Sequence, residues 1–199
     1  MKFNDKWSTI FAFLRDSVRE KLDEKYKETV NEAYDGMLER YVRYFDDETI
    51  NVCLCHGDYK SNNIMVKVEN GEVQQAIPID YQIIHCGSPV YDFLFFLYLS
   101  TDRKFRQDHT SYLKDLYYET FRKFLGYFEL DADVIYSRDE FEKVYREKLD
   151  LGLIIALFLL PFTLASEDEQ AETPNYETDY SFKERMEGVL DDYVDWGYL

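Results

Sequence analysis

The 199-residue chain predicts an α+β fold, mainly helical, with a small β-hairpin region at its functional edge. Three observations lead there. Apolar residues recur at three- and four-residue steps through most of the chain, which is the period of amphipathic helices. Short extended runs bounded by turn signals interrupt that period only between about Ile50 and Ile79, as strands do. Within them stands Asn70-Gly71, the two-residue sequence that best fits a tight hairpin.

Composition allows a well-packed domain and narrows its partners. Hydrophobic residues make up 46% of the chain and aromatic residues 18%, enough to fill a core. With 40 acidic against 23 basic side chains the net charge is -17, which repels polyanions, and no Lys/Arg cluster offers a face for phosphates. Nucleic acid is therefore not an expected partner. The opening MKFNDKWSTIFAF carries Asp5 and Lys6, and its unbroken apolar run, Ile10 to Leu14, is too short for a secretory signal core. The most apolar segment, Leu151 to Ala165, contains Pro161 and falls short of a membrane span, so it reads as a buried helix. An odd number of cysteines, 3, in a chain with no export signal suggests reduced thiols. A cytoplasmic location without membrane attachment is the expectation.

Taken in order, Val18, Leu22, Tyr26, Val30, Ala33, Met37, Leu38, Tyr41, Val42 and Phe45 define an amphipathic helix from Asp16 to about Phe45, with a break near Gly36. An acidic turn, Asp46-Asp47-Glu48, leads into a strand over Ile50 to Leu54. The strands Ile64 to Val68 and Glu72 to Ile79 fold onto each other through Asn70-Gly71. Gly87-Ser88-Pro89 is a turn that starts a buried helix over Val90 to Leu99.

A long helix follows, with Phe105, Tyr112, Leu113, Leu116, Tyr117, Phe121, Phe124, Leu125 and Phe128 along it. That aromatic stripe has two readings, the wall of a pocket for a flat apolar molecule and ordinary core; core is the commoner outcome. Phe141, Val144, Tyr145 and Leu149 lead into the apolar 151–165 helix. Residues Ser166 to Asp179 lose the periodicity and read as an exposed acidic loop. A final helix puts Phe182, Met186, Val189, Leu190, Tyr193 and Trp196 on one stripe.

The chemistry concentrates in Val52 to Val66, VCLCHGDYKSNNIMV. Its core is His56-Gly57-Asp58, with Asn63 five residues after the aspartate. In phosphotransferases that spacing lets one loop present a carboxylate to the accepting hydroxyl and an amide oxygen to a magnesium ion on the nucleotide phosphates. Ile77-Pro78-Ile79-Asp80-Tyr81-Gln82 is a second strand that ends in an exposed acid. The hairpin should bring Asn63 and Asp80, at its open ends, together in space. Cys53 and Cys55 share one face of a strand, but C-x-C matches no common structural zinc pattern, and core thiols are the simpler reading.

In combination, HGD-x4-N, IDYQ and GSPVYDF resemble the small-molecule kinases of the aminoglycoside phosphotransferase and choline kinase group, most closely the ecdysteroid kinase-like family. The resemblance runs from about Ile50 to the C-terminus. It implies the C-terminal lobe of a protein-kinase-like fold and ATP- and Mg2+-dependent transfer to a hydroxyl of a small molecule, plausibly a steroid such as an ecdysteroid, or a xenobiotic. By the same resemblance Asp58 is the catalytic base and Asn63 and Asp80 are magnesium ligands at the nucleotide phosphates. His56 braces the loop, and Asp92 supports it through backbone contacts. Gln82 stands where protein kinases have glycine, which points to small-molecule acceptors.

These kinases cover ATP with an N-terminal lobe. The 55 residues before His56 read as helical and hold one glycine, Gly36, so the chain is expected to lack that lobe. The expected organisation is a single C-lobe over 1–199: a helical lead-in over 1–49, the catalytic and metal-binding loops over 50–100 and a helical subdomain over 101–199. The alternative is a non-catalytic kinase-like C-lobe with a binding or regulatory role.

Overall fold

In the computed structural model, residues 5–45, 53–164 and 180–199 are described. They are mostly helical, with two two-stranded antiparallel sheets. The expected acidic turn at 46–48, the start of the first strand before Cys53 and the acidic loop 166–179 lie outside the described residues. No described helix is long and apolar enough to cross a membrane.

The chain divides into two compact units. One contains α1 (Asp5–Lys21), α2 (Lys27–Tyr34), α3 (Met37–Phe45) and α9 (Tyr180–Asp195), with all but the first residue of α8 (Leu149–Thr163). Where one helix with one break is expected over 16–45, there are two breaks. At the expected one, Gly36 takes φ +58, a left-handed conformation that costs glycine little. The other falls at Asp23, whose extended backbone (φ -62, ψ 152) precedes a 3-10 turn over Glu24–Tyr26. Its cause is tertiary: Asp23 donates its backbone N–H to Glu187 at 2.9 Å, and Lys183 reaches its carboxylate at 2.6 Å. Side-chain periodicity carries no sign of such long-range partners.

Most of the expected stripes form the core of this unit, although Leu38, Tyr41 and Val42 are only half-buried. Leu14, Val18, Leu22, Tyr26, Val30, Ala33 and Met37 are buried. So are Phe182, Met186, Val189, Leu190 and Tyr193 on α9, whereas Trp196 is half exposed. Helix α8 is buried on nearly every side, as its unbroken apolar sequence requires. Its Gly152 sits under an aromatic pair: a Cβ there would lie 2.4 Å from the Tyr98 ring and 2.7 Å from the Tyr193 hydroxyl. Gly152→Ala is therefore expected to destabilise this unit by about 1–3 kcal/mol through overpacking. An unchanged urea midpoint would mean that the two tyrosines do not pack there.

The second unit holds the sheets, α5 beyond Arg103 (Arg103–Gly126), α6 (Ala132–Ile135), α7 (Arg138–Glu147) and α4 as far as Leu97 (Val90–Ser100). Strand β2 (Ile64–Glu69) pairs with β3 (Glu72–Pro78), with an irregularity between Lys67 and Val68. Asn70 and Gly71 have φ 55 and 81, the two positive values that the tightest hairpin turn demands. Strand β1 (Cys53–Cys55) pairs antiparallel with β4 (His85–Gly87), Leu54 opposite Cys86. Sequence patterning gives no hint of β4, because three residues are too few to show a period.

Helix α5 corrects the core reading of its aromatic stripe. Only Arg106 and Tyr118 of this helix are buried, while Tyr112 and Phe124 are 62% and 58% exposed. Periodicity locates an apolar face; whether another element covers it is decided elsewhere in the chain. The core of this unit lies instead around Val90, Tyr91, Leu94, Phe95, Phe141, Val144 and Tyr145.

Candidate active site

Strand β1 ends at Cys55 and hands the chain to His56-Gly57-Asp58 inside the second unit. Gly57 makes the turn possible. It has φ +84, and a Cβ would stand 2.6 Å from the carbonyl oxygen of Ile83. The buried His56 ring then links two parts of the site. Its Nδ1 accepts the backbone N–H of Asp58 at 3.3 Å, so the proton belongs on Nε2, which donates to the Ile79 carbonyl at 2.8 Å.

Asp92, in the first turn of α4, takes both amides of the loop start. One carboxylate oxygen accepts from His56 N at 2.6 Å and the other from Gly57 N at 2.9 Å. Charge-assisted bonds of this kind are about twice as strong as neutral ones. The loop conformation is thus held at two successive peptides by one side chain.

Asp58 and Asn63 are in direct contact. Asn63 closes a 3-10 turn over Ser61–Asn63 and is buried; its Nδ2 donates to Asp58 Oδ2 and to the Asp58 carbonyl, each at 2.9 Å. With both amide hydrogens directed at Asp58, its Oδ1 is left as an acceptor. The Asn63 carbonyl accepts Ile79 N–H at 2.9 Å, which adds one rung to the hairpin ladder. Asp80 therefore follows directly on the residue bonded to Asn63. It adopts φ 65, is exposed, and receives a long contact from Gln82 Nε2 at 3.4 Å. A carboxylate and an amide oxygen are hard donors of the type that magnesium takes, usually with few protein ligands beside water and substrate phosphates.

Lys60 is the site residue that motif reading passes over. Its Nζ lies 2.8 Å from each oxygen of Asp58. The signal was present but local: a backbone bond from Lys60 N to Asp58 O at 3.1 Å turns the chain so that the two side chains meet.

The thiols beside the loop differ in setting. Cys55 is buried, and its Sγ donates to the Ser88 carbonyl at 3.4 Å, but Cys53 and Cys86 are exposed, so the core-thiol reading holds for Cys55 alone. Contact between Cys53 and Cys55, whose sulfurs are 3.9 Å apart, lowers the pKa of Cys53 and raises that of Cys55. Cys53 is thus the first of the pair to ionise. No group of three or more His, Cys, Asp or Glu suited to a metal ion occurs among the described residues.

Next to the loop opens an apolar pocket of about 400 Å³. Tyr59 contributes from the loop, Phe93 and Phe96 from α4, and Leu113, Leu116 and Tyr117 from α5. Part of the α5 stripe is therefore pocket wall. The Tyr59 phenol has its pKa raised by burial and by the neighbouring Asp92 carboxylate.

The model of the ecdysteroid kinase-like family matches residues 2–129, well over half of the chain and the whole stretch from His56 to Asp92. No curated protein and no solved structure matches. The chain belongs to the ecdysteroid kinase-like family.

Proposed function

We propose that this chain carries the catalytic centre of an ATP- and Mg2+-dependent phosphotransferase that acts on a hydroxyl of a small molecule. Family membership supports the reaction class. The observation that carries the reading is the Asp58 carboxylate, fixed by Asn63 and set in a loop whose amides Asp92 holds. The acceptor hydroxyl gives its proton to Asp58 as its oxygen bonds to the terminal phosphorus of ATP. The bond from that phosphorus to the bridging oxygen breaks, and ADP leaves with the electron pair. Asn63 Oδ1 and Asp80 would hold magnesium, which neutralises phosphate charge.

The apolar pocket beside Tyr59 suits the body of a flat acceptor such as a steroid. In this reading the strand, HGD loop, hairpin, acid and following helix make up the active edge of a kinase-like C-lobe, working in the cytoplasm. The test is transfer of labelled terminal phosphate from ATP to a panel of hydroxylated steroids and xenobiotics. Asp80→Asn should raise the magnesium concentration needed for half-maximal rate by about tenfold or more. Absence of transfer to every acceptor would favour a binding or regulatory role, and an unchanged magnesium requirement would remove Asp80 from the metal site.

A further inference from the structure

The reaction above leaves Lys60 without a task, although it makes the closest charged approach to the reacting carboxylate. We propose that Lys60 is a phosphate-responsive cation that stands in front of Asp58 until the terminal phosphate of a nucleoside triphosphate draws it away. The inference rests on the reading of Asp58 as the base.

Position is the first argument. An ammonium 2.8 Å from both carboxylate oxygens lies between them and occupies the lone pairs that face outward. Asn63 Nδ2 already takes a further position on Oδ2. A hydroxyl that is to be aligned by Asp58 has to come to the same edge, so Lys60 must leave for the base to work.

Charge is the second. Lys60 is the one Lys or Arg between Val52 and Val66, in a loop region that holds Asp58 and is joined by Asp80 and Asp92 in a chain of net charge -17. A triphosphate that enters this acidic site needs a cation, and Lys60 stands at the reacting end. Its terminal phosphate carries more negative charge and more acceptor oxygens than a carboxylate, so it competes well for an ammonium.

Freedom to move is the third. The Lys60 side chain is 22% exposed, and lysine carries its charge on a flexible four-carbon stem, without the fixed fork of arginine. Exchange of one anion for another needs side-chain rotation only. The result is a base that is unmasked by the arrival of the phosphate it serves.

Binding of magnesium complexes of ADP and of an unhydrolysable ATP analogue to the full chain, by calorimetry, tests this. Lys60→Met should weaken the triphosphate by about tenfold and leave ADP within about twofold, because the contact is to the terminal phosphate alone. Lys60→Arg should restore most of the preference. Asp58→Asn, which releases Lys60 from its ion pair, should tighten the triphosphate several-fold while it slows transfer a hundredfold or more. A Lys60→Met variant that weakens both nucleotides equally, or neither, would show that Lys60 only holds the loop. That outcome, combined with an Asp58→Asn variant slowed to that extent, sinks this inference and spares the base assignment. Full transfer by Asp58→Asn, or failure of the unaltered chain to bind either nucleotide, overturns both.

Discussion

Asp58→Asn is expected to slow phosphoryl transfer by a hundredfold or more while the protein stays folded. The loss follows from chemistry: an amide at this position aligns a hydroxyl but does not accept its proton, and a positioned base contributes on the order of a hundredfold to ten-thousandfold. Retention of the fold follows from geometry. The asparagine oxygen still accepts the 2.9 Å bond from Asn63 Nδ2, and the bonds at the residue's own backbone, from Asn63 Nδ2 to its carbonyl and from its N–H to His56 Nδ1, do not involve the altered group. Turnover should fall with little change in the KM of the acceptor, since the pocket walls belong to α4, α5 and Tyr59. A rate within about threefold of the unaltered protein would exclude Asp58 as the base.

Asp92→Ala should have the largest effect on stability within the second unit. Both carboxylate oxygens are committed, one to His56 N at 2.6 Å and one to Gly57 N at 2.9 Å. Truncation strips two amides of their acceptor, and Gly57 is buried. At about 1–3 kcal/mol for each of the two unsatisfied donors, the loss amounts to roughly 2–6 kcal/mol. Asp92→Asn is the sharper variant. It has nearly the same shape but offers one acceptor and turns an NH2 group towards the other amide, so it should lose about half as much. Urea unfolding measures the total, and hydrogen exchange at the His56 and Gly57 amides measures the local part. Protection of both amides unchanged in Asp92→Ala would show that other acceptors replace the carboxylate.

The local geometry of the candidate site was more legible than the fold around it, for a physical reason. The contacts internal to HGD-x4-N span a few residues: Asn63 reaches Asp58, and His56 reaches the Asp58 amide. Such contacts follow from backbone geometry over a short stretch, which spacing records. The hairpin was equally readable, because Asn70 and Gly71 are the residue types for which positive φ is cheap. What escaped depended on partners far away in the chain. The break at Asp23 is fixed by Lys183 and Glu187, and β4 exists only opposite β1. The open face of α5 belongs to the same class, whereas the Lys60–Asp58 ion pair is local and falls on an unspecified position of the HGD-x4-N pattern.

Ile79 has a place that its ordinary apolar side chain does not suggest. Its amide N–H is held by the Asn63 carbonyl and its own carbonyl by His56 Nε2, so both ends of one residue are tied to the HGD loop. Asp80 is the next residue. The acid assigned to the metal and the acid assigned to the proton are therefore mounted on a single splice, and neither side can slide along the hairpin without carrying the other. Asn70-Gly71, at the far end of that hairpin, acts as a length gauge for the splice: residues added to one strand alone would shift Ile79 out of its double grip and set the two acids out of phase.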